Sequence, residues 1–405
     1  MVALTVPLRR RLVLAAGAIT AIVAACMLGF GAHGAPPITA RSYPSYAPAD
    51  PKTVIAQVPA RDPREVAQRR MLRAAPERVD LAVSLARADI QRSRALSDPR
   101  YLGRAQATLA RWWSLEAPPP DVLLLRATIR QSLHDFITAR ADLDRLIAIR
   151  PDDAQAHLTR AVVSTIMADY ATARSDCARV AALADPLIAT TCVAQIDGIT
   201  GHAAQASRQL AQALERSTAE PSLRGWALTA LAELSIVRGD YAAATSQFRQ
   251  VIDLDPEDAY ARAGLADVLM WTRHPAEASA LLAGRESVDN LLVRRAIAES
   301  AAAGPDTAKW TRAMRDRIAA AAERGDRIHL REEARFTLEV LGDARRALAI
   351  ALDDWAVQKE LADARLVAAA AVAAGDPDAA RPVRAWMQAN AVEDVQLVKL
   401  LGGAR

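Results

Sequence analysis

The stretch nearest to catalytic chemistry is His329-Leu330-Arg331-Glu332-Glu333. A zinc-binding helix places two His four residues apart, so that both ligands share one face. Position 333 holds Glu, so the second ligand is missing. A phosphate-cradling loop of the Gly-Lys type has no Gly-Lys dipeptide to rest on. The chain also lacks a Gly-x-Ser-x-Gly elbow and a Ser-x-x-Lys nucleophile pair. The six His are scattered, and His134, His202 and His274 fall at equivalent turns between helices, where a polar surface residue is the plain reading. These absences predict no enzyme, no metal and no cofactor. The three cysteines, Cys26, Cys177 and Cys192, are the remaining chemistry.

The elements that must position these residues are helical. Hydrophobic residues make up 52% of the 405 residues but aromatics only 4%, so much of the apolar content is Ala. Ala has the best helix propensity and lets helices approach closely. Alternation of β-branched residues is nearly absent, which predicts an all-α body. The net charge is +4, and part of that excess is the run Arg9-Arg10-Arg11. No basic face of the kind that neutralises phosphates emerges, so nucleic acid is not an expected partner. The Arg-rich, Lys-poor, Ala-rich usage points to a bacterium.

Residues 1–35 differ from the rest. Three arginines precede Leu12 to Gly31, an uncharged apolar run. As a helix this run is about 30 Å long, the thickness of a bilayer core. The arginines place its start in the cytoplasm. Three fates stay open: an uncleaved anchor, a signal peptide cut near Ala32-His33-Gly34, or a lipoprotein segment in which Val23-Ala24-Ala25-Cys26 offers Cys26 for lipidation. Each puts the body in the periplasm, most directly tethered to the inner membrane. Residues 36–63 carry seven prolines and read as an extended tether.

Beyond the tether a period emerges. Ala105, Ala139, Ala173, Ala206, Ala244 and Ala278 are separated by 34, 34, 33, 38 and 34 residues. Ala127, Ala161, Ala194, Ala232 and Ala266 each lie twelve residues before a member of that series. Two locked series of small residues suit tightly crossing antiparallel helices, because a larger side chain would hold the backbones apart. Gly239-Asp240-Tyr241, Gly342-Asp343 and Gly375-Asp376 read as turns, and Pro151, Pro186 and Pro256 as stops. The step of 38 places about four extra residues between Glu215 and Arg224.

A helix–turn–helix unit of this length, with Ala at both crossing points, an aromatic after Gly-Asp and a closing Pro, resembles the tetratricopeptide repeat. Segment 225–258 matches best, then 120–153 and 154–187. The resemblance implies a superhelical solenoid of about eight or nine stacked pairs. Residues 64–292 would form the regular array, and 293–405 degenerate repeats with a C-terminal cap. It also implies a non-enzymatic scaffold that takes a protein partner, a peptide segment or helix, in a concave groove lined by the first helix of each pair, and assembly work in the envelope. On that register Trp226, Glu233, Tyr260, Asp267 and Trp271 face the groove, beside Gln155, Leu158, Val162, Gln195 and Thr229. The groove positions checked for a carboxylate clamp hold no cations, and the surface is mildly acidic at Glu233 and Asp267, which suits a neutral or basic segment. A soluble exported solenoid around a small ligand, a lipid or cell-wall fragment, would instead show a deep apolar pocket. An enzyme would show clustered carboxylates of perturbed pKa.

The register puts Cys177 on the second helix of one pair and Cys192 on the first helix of the next, two helices that pack together. In an oxidising compartment they are expected to form a disulfide worth about 3 kcal/mol. Thiol labelling in denaturant tests this. Cys177 and Cys192 should label only after reductant, and labelling of both without it would refute the bond.

Overall fold

The computed structural model describes residues 62–96, 98–323 and 329–402. The expected anchor (1–35), its Cys26 and residues 36–61 of the expected tether lie outside the described residues. Every regular element among the described residues is helical, and none is long and apolar enough to cross a membrane.

A single helix, α1 (Pro63–Ala74), precedes nine antiparallel pairs. In the first, α2 (Val79–Leu96) meets α3 (Arg100–Thr108), continued by the short α4 (Ala110–Trp113). The next pairs are α5 (Pro120–Ser132) with α6 (Phe136–Ile149), and α7 (Ala154–Ile166) with α8 (Tyr170–Leu183). They are followed by α9 (Pro186–Ile199) with α10 (Ala203–Arg216), and α11 (Pro221–Val237) with α12 (Tyr241–Leu254). Then come α13 (Ala259–Trp271) with α14 (Pro275–Leu281), and α15 (Asp289–Ala301) with α16 (Thr307–Glu323). The last two are α17 (Leu330–Glu339) with α18 (Ala344–Val357), and α19 (Leu361–Ala373) with α20 (Arg381–Ala389). A final helix, α21 (Val395–Leu401), follows. The extra residues before position 225 lengthen α11, which has 17 residues against 13 in α7 and α13.

Local chemistry explains most of the hairpins. The first helix ends at a residue with positive φ, Gly239 at 77° in the α11–α12 turn, where the absent Cβ removes the steric cost. Asp240 follows as N-cap, its side chain accepting from the Ala243 amide. Asp135, Asp169, Asp343 and Asp376 cap in the same way. His134, Ala168 and Arg273 hold the left-handed position without being Gly, at a cost of about 1 kcal/mol each. The crossing alanines of both series are almost fully buried. A buried ion pair also repeats: the Arg126 guanidinium donates to Asp142, and, 34 residues on, Arg160 donates to Asp176. The Cys177–Cys192 disulfide joins α8 to α9, with Cα atoms 5.7 Å apart.

First helices of successive pairs pack on one another more closely than second helices do, so the stack curves with the first helices inside. The curvature goes far enough for the last pairs to meet the middle ones. The Lys359 amide donates to the Ile166 carbonyl at 2.9 Å. Trp386 Nε1 donates to the Tyr170 hydroxyl at 3.0 Å, and the Gln396 amide to the Tyr241 hydroxyl at 3.2 Å. One hydrophobic core accordingly runs from Leu158 to Leu397, while α2–α5, α5–α7 and α15–α17 hold smaller ones of their own.

Gly201 and Gly375 allow this closure to be measured. Both have positive φ, 76° and 69°. A Cβ on Gly201 would lie 2.7 Å from the Ala391 carbonyl oxygen, whereas one on Gly375 would meet nothing within 4 Å. Gly375→Ala should cost about 1 kcal/mol in urea unfolding, the conformational penalty alone. Gly201→Ala should cost about 2–3 kcal/mol, the surplus being the contact with Ala391. Equal costs would mean that the contact bears no load.

Candidate functional site

Closure leaves a recessed cavity of about 230 Å³ between the inner helices α7, α9, α11 and α13 and the later elements α15, α17 and α19. Four of the five residues assigned to the groove line it: Glu233 on α11, and Tyr260, Asp267 and Trp271 on α13. Trp226 does not. It is only 2% exposed and sits in the main hydrophobic core, its indole N–H without a partner. Trp226 lies two helical turns from Glu233, toward the start of α11. There, burying a ring of that size outweighs the cost of about 1–3 kcal/mol for the unpaired donor. The assignment of Trp226 to the groove is therefore corrected.

The expectation of a groove without cations is also corrected. Cations reach it from later helices. Asp267 accepts from Arg294 of α15 at 2.6 and 3.0 Å and from Arg335 of α17 at 3.0 Å. Arg331 of α17 donates to Asp363 at 2.9 Å and to Glu360. Arg365 of α19 pairs with Asp394 and lies 5.6 Å from the centre of the Trp271 ring. Arg331 and Arg365 are themselves 34 residues apart, one repeat length, so extending the register past 292 would have aligned them. His134 keeps its expected place at the α5–α6 turn, half-buried and stacked on Phe136. Burial first, and the Arg331 charge second, push its pKa down to about 4, so its ring is neutral at pH 7.

The carboxylates divide by partner. Burial alone would raise Asp267, but Arg294 and Arg335 outweigh it and hold its pKa below the usual range. Glu233 has only the neutral Tyr260 hydroxyl as hydrogen-bond donor. Burial, reinforced by the Glu360 charge, pushes Glu233 up to about 7, against the opposing effects of Tyr260 and Arg365. Burial and then Asp363 raise Glu360 as well, despite Arg331. Among the described residues no group of His, Cys, Asp and Glu is placed to hold a metal ion.

Residues 236–296, from the end of α11 into α15, match the model of the tetratricopeptide repeat family. That segment carries the tetratricopeptide repeat. Such repeats serve as scaffolds for protein partners and are generally non-catalytic. Among solved structures, a tetratricopeptide repeat protein from Parabacteroides merdae is similar over 72% of this chain and 98% of its own, at 14% identity and a TM-score of 0.36. PilW, a widely conserved type IV pilus biogenesis factor, is similar over 70% of this chain and 98% of its own, at 15% identity and 0.35. Yeast Tom70 is similar over 84% of each chain, at 11% identity and 0.40. No curated protein matches the chain by sequence.

Glu233 makes the closed tetratricopeptide stack sensitive to pH. Its folded-state pKa of about 7 lies above the ordinary glutamate value of 4.5. The folded protein therefore holds the proton more tightly than the unfolded chain. Stability contributed by this group falls as pH rises from about 4.5 to about 7, and the loss is complete above 7. Glu233→Gln keeps an acceptor for Tyr260 and removes the charge. In urea unfolding the variant should match the parent at pH 5 and exceed it at pH 8, by at most about 3 kcal/mol. A variant weaker at pH 8 would contradict this account.

Proposed function

We propose that the chain is a non-enzymatic interaction scaffold of the bacterial envelope, held at the inner membrane by residues 12–31 with its helical body in the periplasm, and that it assists assembly of an envelope complex. The observation that carries this reading is the tetratricopeptide stack, most of whose inner-face charges are paired with one another. Arg331 occupies Glu360 and Tyr260 occupies Glu233. Trp271, 37% exposed on the cavity wall, is the anchor offered to a partner segment.

A photo-crosslinking residue at position 271 in the native cell should capture a discrete protein. No protein adduct from 271 or from the outward positions 137 and 254 would overturn the scaffold reading. Added protease should spare the body in intact cells and digest it in spheroplasts, and protection in both would overturn the periplasmic placement.

A second reading is favoured by the cavity itself. A recess of about 230 Å³ is larger than the engineered cavity of about 150 Å³ that holds benzene. Its wall mixes apolar residues with a few converging polar groups, as small-molecule sites do. On this reading the solenoid holds a small ligand at its centre.

A further inference from the structure

The charge inventory of the cavity leaves one carboxylate, Glu233, and one cation, Lys359, without an ion-pair partner. Asp267 is answered by Arg294 and Arg335, and Asp363 and Glu360 by Arg331. Glu332 faces His329 at 3.7 Å. Arg365 is taken by Asp394. Lys359, the remaining cation of the wall, is turned to the Trp355 carbonyl at 3.4 Å and lies 5.9 Å from the centre of that ring. Glu233 has no Arg, Lys or His partner, only the Tyr260 hydroxyl.

The surroundings of Glu233 are specific. On its own helix Ala230 and Leu234 border the cavity, and Ala263 and Trp271 face it from α13. A carboxylate in such a wall has lost part of its water without gaining an ion-pair partner, which is costly unless something else supplies one. The negative charge of Glu360 adds to that cost. Tyr260 and Trp271 bring aromatic rings whose faces attract cations. Arg365 occupies one approach to Trp271. The wall is otherwise mostly apolar, so an apolar body attached to the charge gains from burial.

We propose that the cavity binds a small organic cation, an amine or guanidine on a compact apolar body, with its charge against the Glu233 carboxylate and its body along Ala230, Ala263 and Trp271. This rests on the small-ligand reading above. Binding of such a cation favours ionised Glu233, so it takes a proton from the site as it enters at neutral pH. Affinity therefore rises between pH 5 and pH 8 while the amine stays protonated throughout. Tyr260, Asp267, Arg294, Arg331, Glu332, Lys359, Glu360 and Arg365 are the other titratable groups lining the recess, and none of the cations among them lies within hydrogen-bond distance of Glu233.

The test is titration calorimetry on the full-length chain in mild detergent with three probes of one shape: cyclohexylamine, cyclohexanol and cyclohexanecarboxylate. Cyclohexylamine should bind most tightly at pH 8, and at least tenfold more weakly at pH 5 or to Glu233→Gln, while cyclohexanol binds both proteins alike at both pH values. Circular dichroism and thermal melting check that the variant is folded. If cyclohexanol or cyclohexanecarboxylate binds as well as the amine, the inference of a cationic ligand is overturned while the small-ligand reading stands. If no probe binds the folded protein at millimolar concentration, both are overturned.

Discussion

Docking of the last helix pairs onto the middle of the stack is the contact on which the rest of this structure depends. A repeat array is one-dimensional, with each pair touching only its neighbours, and its inner face is open. Here Arg335 reaches Asp267 across 68 residues, and the Lys359 amide closes on the Ile166 carbonyl. Three features follow from that meeting. The inner helices lose part of their contact with bulk water, Asp267 gains a second guanidinium, and Glu233 is left in a recess where its charge is disfavoured. In an open array Glu233 and Tyr260 would lie on a wetted groove and titrate in the ordinary range.

What was legible in the sequence follows the range of the physics involved. The crossing alanines, the Gly-Asp turns and the cysteine pair are decided within one or two helices, and the 34-residue period exposes them. The pairing of Arg126 with Asp142 and of Arg160 with Asp176 repeats at the same interval and was equally open to view. Closure was not. It depends on a small rotation accumulated over nine pairs, and the degenerate second half hides the register. The partners of Tyr170 and Tyr241 lie 216 and 155 residues away. Trp226 failed for a different reason. Its register position faces inward, but whether an inward ring is exposed depends on how closely the flanking first helices pack.

The electrostatic character of the groove changed for the same cause. Read along the first helices of the regular array, it is acidic at Glu233 and Asp267. The basic residues that answer it come from α15, α17 and α19. The expectation that an acidic inner face suits a basic segment thus describes the chain's own later helices, which bring Arg335 and Arg331 to that face. Glu233 is the part of that acidity still unanswered, because the available guanidinium groups are spent on Asp267, Asp363, Glu360 and Asp394.

The separate core of α2–α5 has a consequence for how the molecule loosens. Linear arrays fray from both ends, since a terminal pair has only one neighbour. Here Gly239 packs against Val395 and Gly201 against Ala391, so the last helices are tied into the middle of the stack. Fraying is thereby confined to one direction. The molecule peels from α1 inward, toward the pair that the Cys177–Cys192 bond holds to its successor.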